Sequence, residues 1–258
     1  MFISCGDILV DLFNQPTDAI GKVSLQGHVG GSPLNVAVGL SRLGQSTGYL
    51  CKNSTDFIGQ GISEYIRANG IKSDWIISTS LNSTLAMIRK NPDGSANYAF
   101  YTDNTADTSL TIDELPSEFP DELAVLHFGS YSTAVEPICT ALIALAVREA
   151  GKRVISYDPN LRPTVQPDMG IWRESFAQLA KVADFVKASD EDIGLLFGEN
   201  TSFESFAVDT LALGAKAVAV TEGGSGATVY TADGRTARSA ALSINVADTV
   251  GAGDTFQA

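Results

Sequence analysis

Short apolar runs rich in β-formers recur along the 258-residue chain, at residues 2–10, 48–52, 123–128, 153–157, 183–186 and 215–221. Stretches of helical period separate most of them. This alternation is the strongest constraint on the fold. Strands spaced by helices pair in parallel, and the resulting sheet must be covered on both faces. The expected class is α/β, a mostly parallel sheet sandwiched by helices. Ser32-Pro33 reads as an N-cap with a first-turn proline, followed by Leu34, Ala37, Val38 and Leu43 on one apolar face. Helices over 59–69 and 137–150 stop at Gly70 and Gly151. Thr201 with Glu204 reads as a capping box ahead of 206–213, and an acidic first turn opens a helix at 190–197.

One segment breaks the rhythm. Residues 84–90 and 95–101 are strand-like, and Asn91-Pro92-Asp93-Gly94 between them is strong turn chemistry. Tyr98 and Phe100 share one face of this hairpin. A lone hairpin is marginal in water, so it must pack on something. The stretch 12–28, which lacks helical period, can supply the partner. The two read as a small β-flap over roughly 12–30 and 80–104, within a single domain spanning 1–258.

Composition narrows the partners. A net charge of −13 and a pI near 4.4 argue against nucleic acid, which demands clustered Lys and Arg. Small anions remain open, because backbone N–H groups can hold a phosphate locally. No run approaches the ~20 apolar residues of a membrane span. The apolar start carries Asp7 and Asp11 and no basic leader, so it does not read as a signal peptide. Cys5, Cys51 and Cys139 sit far apart in apolar runs and read as buried reduced thiols. The expectation is a cytoplasmic protein without membrane or nucleic-acid partners.

Three glycine-rich loops carry the chemistry. In Asp248-Thr249-Val250-Gly251-Ala252-Gly253-Asp254-Thr255, Gly251 and Gly253 allow close backbone approach, and successive N–H groups can form an anion nest opening into a helix. A carboxylate in such a nest would repel phosphate. It makes sense if Asp254 takes a proton from an attacking hydroxyl while the N–H groups steady a phosphoryl group. An ordinary turn with Asp254 as helix cap is the plainer alternative. Gly30-Gly31 precedes a helix whose Asn35 can hydrogen-bond a polyol, although taken alone the pair reads more simply as a helix-entry turn. Thr221-Glu222-Gly223-Gly224-Ser225-Gly226 follows an apolar strand, where open α/β sheets bind ligands. No G-x-x-x-x-G-K-[ST] occurs, so there is no P-loop.

Taken in order, these loops resemble the ribokinase-like (PfkB) sugar kinases. Gly30-Gly31, Asn35, Ala37 and Leu43-Gly44 match that family's N-terminal signature, and residues 248–254 resemble its C-terminal D-T-x-G-A-G-D. Asp56, Gly59 and Gly70-Ile71 fit the intervening pattern. Asp158-Pro159-Asn160-Leu161-Arg162 is similar to a segment of fructokinases and 2-keto-3-deoxygluconate kinases. The resemblance implies a ribokinase-like fold with a small β-sheet lid, and transfer of the γ-phosphoryl of ATP to a primary sugar hydroxyl, with fructose as the leading sugar. It implies Asp254 as catalytic base, the N–H groups of Gly251, Ala252 and Gly253 as anion hole, and Arg162 near the transferred phosphate. Asp11, Gly30, Gly31 and Asn35 would hold the sugar, Tyr98 or Phe100 would cover it, and Asn160 would support it. Thr221, Gly223, Gly226 and Ser189 would line the ATP site. Mg²⁺ would be held through water by Glu191 and Asp192, and a monovalent cation such as K⁺ by carbonyls near Asp248 and Val250. A homodimer through the lid is implied as well.

Two departures stand out. The family's Asn-x-x-Glu is Ser189-Asp190-Glu191-Asp192 here, and the chain stops four residues after Asp254, where family members continue. The expectation is that the C-terminal part of the family domain is absent. The competing readings are ribokinase, 2-keto-3-deoxygluconate kinase, nucleoside kinase, or a sugar-binding pseudokinase without transfer. A nicotinamide oxidoreductase is more distant, because Cys5-Gly6-Asp7 offers no G-x-G-x-x-G turn.

Overall fold

The computed structural model describes residues 1–17, 20–90, 96–243 and 251–258. The chain order is β1 (Phe2–Cys5), β2 (Leu9–Gln15), β3 (Ser24–Gly30), α1 (Ser32–Arg42), β4 (Thr47–Ser54), α2 (Phe57–Ala68), β5 (Lys72–Thr79), β6 (Thr84–Lys90) and β7 (Ala96–Tyr101). There follow β8 (Val125–Gly129), α3 (Ile138–Glu149), β9 (Val154–Asp158), α4 (Met169–Ala180), β10 (Phe185–Ser189), α5 (Asp190–Phe197) and α6 (Phe203–Leu213). The chain closes with β11 (Ala217–Thr221), β12 (Ala227–Thr231), β13 (Thr236–Ser239) and α7 (Ala252–Gln257).

Among the described residues, the large sheet has the order β13-β12-β11-β10-β9-β8-β1-β4-β5. It is parallel from β11 to β5, and β12 and β13 run antiparallel at one edge. The class is α/β with a mostly parallel sheet, as the alternating pattern implies. Side-chain alternation divides the interior in two. Ile3, Cys5, Leu50, Leu126, Phe128, Ile155, Tyr157, Val186 and Val220 join α3, α4, α5 and α6 in one core. Tyr49 and Cys51 face the other way, onto Leu34, Ala37 and Val38 of α1 and Ile62 and Ile66 of α2. The thiols of Cys5, Cys51 and Cys139 are free and buried. No helix among the described residues is long and apolar enough to cross a membrane.

A second sheet has the order β3-β2-β6-β7, with β2 and β6 parallel and its other pairs antiparallel. The strands on either side of 91–94 pair as a hairpin. The Asn91-Pro92-Asp93-Gly94 turn itself lies outside the described residues.

Local expectations need correction at three places. Residues 2–10 are not one strand. Gly6 takes φ +146°, with no room for a side chain beside Pro33, and the chain leaves the large sheet there to re-enter the small one as β2. Ser32 does not cap α1. It is the first helical residue, Gly31 is the N-cap at φ +114°, and no side chain caps that end. Thr201 and Glu204 form no capping box. Ser202 caps α6 by accepting from Ser205 N at 3.1 Å, while Thr201 Oγ1 donates to Phe197 O. Hydroxyls stand side by side at 201 and 202, and the helix begins one residue later than the pattern suggests.

Candidate active site

The C-terminal ends of the parallel strands converge on one edge of the sheet, the usual ligand-binding edge of open α/β folds. β1 delivers Asp7, β8 delivers Ser130 and Tyr131, β9 delivers Asn160 and Arg162, β10 delivers Ser189, and β11 delivers Thr221. The small sheet adds Asp11 from β2 and Tyr98 and Phe100 from β7.

Asp254 lies in the first turn of α7 and is 6% exposed. Gly251 is the N-cap of that helix at φ +75°, a conformation that favours glycine. Both oxygens of Asp254 are held from distant elements. Ser32 Oγ donates to Oδ1 at 2.6 Å, Asn35 Nδ2 to Oδ2 at 2.8 Å, and Asn160 Nδ2 weakly to Oδ1 at 3.4 Å. Asn35 is one turn into α1, and Asn160 sits in the loop after β9 at φ +40°.

Two cavities meet beside this carboxylate, which lines the first of them, at the neighbouring Gly253. One, of about 530 Å³, is bounded by Asp11, Gly31, Asn35, Tyr98, Phe100 and Asp254. The other, of about 590 Å³, is bounded by Ser189, Glu191, Asp192, Thr221, Gly223 and Gly226. Asn160, Leu161, Arg162, Glu191 and Gly253 line both. A third, of about 880 Å³, lies between the small sheet and α1, and it includes Gly30 together with Asp11, Asn35 and Gly251.

The first cavity is acidic and partly aromatic. Burial pushes the Asp11 carboxyl up to about 6; Arg162 and His28 pull against that shift, and Asp254 adds to it. Asp7, 1% exposed, is pushed up to about 7 by burial and by the neighbouring Asp107 carboxylate. Asp107 is itself buried and accepts from Thr84, from Thr105 Oγ1 at 3.0 Å and from Tyr131 OH at 2.6 Å. Tyr98 and Phe100 stack with centroids 6.1 Å apart, and Phe100 meets Tyr131 edge-on. The glycine pair is sterically required. A Cβ on Gly30 would lie 2.5 Å from Asp11 Oδ2, and one on Gly31 would lie 2.5 Å from the Asp7 carbonyl.

In the second cavity Ser189 and Asp192 form a reciprocal capping box on α5. Asp192 Oδ2 accepts from Ser189 N and Oγ, and Oδ1 accepts from Leu161 N at 2.9 Å. That carboxylate therefore holds the 158–162 loop in place. Glu191 beside it is exposed. Among the described residues no group of three or more His, Cys, Asp or Glu could enclose a metal ion. Magnesium does not need such a cage, since it ordinarily takes one or two carboxylates, waters and substrate phosphates. Glu191 and Asp192 fit that donor set. Asp248 and Val250 lie outside the described residues.

Sequence reasoning overlooks several residues of the site. Ser32 reads as a cap, yet its hydroxyl serves Asp254. Lys187 follows directly on the apolar run 183–186, and only a charge so placed on a parallel strand signals it. It is 2% exposed and ion-paired to fully buried Asp158 at 2.8 Å. Asp7 sits at the end of the first strand, the position at which α/β sheets present ligand-binding groups.

Residues 4–258 match the family described as pfkB family carbohydrate kinase. Over 258 residues the chain is 36% identical to a fructokinase of Rhizobium leguminosarum bv. trifolii, an alignment spanning 100% of this chain and 78% of that protein. Its structure is similar to that of a PfkB protein from Polaromonas sp. JS666, with a TM-score of 0.85 and 26% identity over 99% of this chain and 85% of that one. Fructokinase with bound ATP from Xylella fastidiosa shares the fold at 24% identity, with a TM-score of 0.86 over 99% of this chain and 78% of that one.

Proposed function

The chain belongs to the pfkB family of carbohydrate kinases, and from that premise we propose that it phosphorylates fructose at a primary hydroxyl, with ATP as donor. The observation that carries this reading is Asp254, a nearly buried carboxylate fixed by Ser32 and Asn35 in the wall of one cavity, beside the Gly253 that this cavity shares with the second. The similarity to the Rhizobium fructokinase supports the choice of sugar.

Asp11 and Asn35 bind hydroxyls of the sugar in the 530 Å³ cavity, and Tyr98 and Phe100 close over it as a lid, excluding water. Asp254 accepts the proton of the attacking hydroxyl. The hydroxyl oxygen forms the new bond to the terminal phosphorus of ATP, the bond to the bridging oxygen breaks, and ADP leaves. Transfer is direct and in line, since among the described residues no side chain is arranged as a covalent nucleophile. Backbone N–H groups of Gly251, Ala252 and Gly253 steady the charge of the moving phosphoryl group. Thr221, Gly223 and Gly226 line the nucleotide cavity, and Glu191 and Asp192 would hold Mg²⁺ through water. When bound, Mg²⁺ supplies positive charge to the phosphate oxygens. A monovalent cation near residues 248–250 belongs to the same reading.

The test is ADP release from ATP and Mg²⁺ with fructose, 2-keto-3-deoxygluconate, ribose or adenosine as acceptor, in wild type and in Asp254→Asn. Fructose is expected to give the highest kcat/KM, and the variant to lose at least ~10²-fold in kcat while still binding sugar. A higher kcat/KM for another acceptor would reassign the sugar. Unchanged turnover in Asp254→Asn would remove the base from its role.

A further inference from the structure

Lys187 is a buried cation that the reaction above does not use. It stands on β10, in the interior of the large sheet, and is 2% exposed. Its ammonium has three N–H donors. Among the described residues one hydrogen-bond partner is found, Asp158 Oδ2 at 2.8 Å. The side chain lines the nucleotide cavity, and a Cβ on Gly253 would lie 3.0 Å from Nζ. The charge is therefore held against the backbone of the residue that precedes Asp254.

Stability alone does not account for the pair. Taking two ions out of water costs several kcal/mol each, and an apolar pair of similar volume commonly holds a fold equally well. The pairing is also incomplete, since Asp158 Oδ1 is buried with no partner among the described residues. Charge balance gives the ammonium a task. Burial works against it, but Asp158, Asp192 and Asp254 together hold its pKa above the ordinary lysine value. Without Lys187 these carboxylates would present a repulsive wall to a phosphate. Arg162, the other cation at the junction, turns its Nη1 onto the carbonyls of Asn160 and Leu161 in its own loop.

Resting on the kinase reading, we propose that Lys187 is a further catalytic residue, whose Nζ donates a hydrogen bond to a non-bridging oxygen of the terminal phosphoryl group of ATP. Asp158 holds the ammonium from the opposite side and keeps it at the junction. Lys187 thus distinguishes ATP from ADP and stabilises the phosphoryl group in transfer.

The experiment compares wild type with Lys187→Met. Calorimetric titration with ATP, ADP and AMP, without sugar, is the first readout. ADP and AMP affinities are expected to stay within about threefold, and ATP affinity to fall at least ~10-fold, which erases the preference for the triphosphate. The second readout is steady-state kinetics, where kcat should fall ~10²-fold with the sugar KM unchanged. A folded Lys187→Met chain, judged by its thermal midpoint, that keeps both the ATP preference and kcat overturns the proposal. So does a wild type that binds ATP no better than ADP. If the single variant does not fold, Lys187→Met with Asp158→Leu replaces the ion pair by an apolar one and is held to the same criteria. The titration needs no acceptor, so a failed sugar assay would sink the kinase reading while the calorimetry still decides Lys187.

Discussion

Ser32 Oγ donates to Asp254 Oδ1 at 2.6 Å across 222 residues of sequence, tying the first turn of α1 to the first turn of α7. In the proposed reaction an oriented base is worth more than a nearby one, because proton transfer needs the carboxylate lone pair aimed at the attacking hydroxyl. Ser32→Ala leaves Asn35 at 2.8 Å and Asn160 at 3.4 Å as the remaining partners. Hydrogen bonds to charged groups are worth about 1.5–3 kcal/mol. We expect kcat to fall roughly 10-fold with the sugar KM little changed, read by steady-state kinetics. An unaltered kcat would show that Asn35 and Asn160 suffice without Ser32.

Gly30→Ala tests the proposed sugar cavity without touching Asp254. Gly30 has no left-handed backbone, so alanine is conformationally acceptable there, but its Cβ would stand 2.5 Å from Asp11 Oδ2 and must displace that carboxylate. The expected result is a sugar KM raised ~10-fold or more, with ATP binding by calorimetry unchanged. Gly31→Ala meets both a φ of +114° and the Asp7 carbonyl, so it should instead lower the thermal midpoint and the yield of folded protein.

Asp11 predicts a pH dependence. Its carboxyl is raised to about 6, chiefly by burial and further by Asp254, with Arg162 and His28 opposing. Above that value it is ionised and, in the proposed reaction, accepts from sugar hydroxyls. Below it the group is protonated and loses acceptor capacity. The kcat/KM for sugar should therefore decline as pH falls through about 6, approaching tenfold per unit. Asp11→Asn should abolish this limb of the profile and leave a low, flat kcat/KM.

Asp7 predicts a stability effect of the opposite sense to most carboxylates. Burial and Asp107 raise it to about 7 in the folded protein, against about 3.9 in an unfolded chain. Between those values the native state holds a proton that the unfolded state has released. Stability therefore falls as pH rises through that window and levels off above about 7. Asp7→Asn keeps the shape and removes the titration. By denaturant unfolding it should match wild type near pH 4 and exceed it at pH 8 by up to about 4 kcal/mol. A wild-type stability that rises from pH 4 to 7 in parallel with the variant would refute the assignment.

Much of the site is legible because its devices are local. The glycines at 30, 31, 251 and 253, the carboxylate at 254 and the amide at 35 lie within short stretches, which spacing alone leaves open to plain turns and which the family resemblance singles out. The capping box at Ser189 and Asp192 is also contained in four residues, but the sequence there reads only as an acidic first turn and a departure from Asn-x-x-Glu. Ser32 misleads for the same reason. A hydroxyl before Pro33 ordinarily caps, and nothing within ten residues announces a carboxylate at 254. Lys187 and Asp158 are similarly silent, since each alone reads as a charge at the end of a strand.

The sequence by itself determines the α/β class, because the alternation of β-rich and helical runs acts over one strand or one turn at a time. It also marks 30–31 and 251–253 as places of close backbone approach, because glycine carries no side chain to obstruct it. The tertiary structure alone decides that the run from 2 to 10 divides between two sheets, that Asp254 is held from α1 and from the loop after β9, and that an ammonium is buried beside Gly253. Patterning and capping are short-range effects. The environment of a buried charge is set by groups brought together from far along the chain, and only the packed fold specifies those.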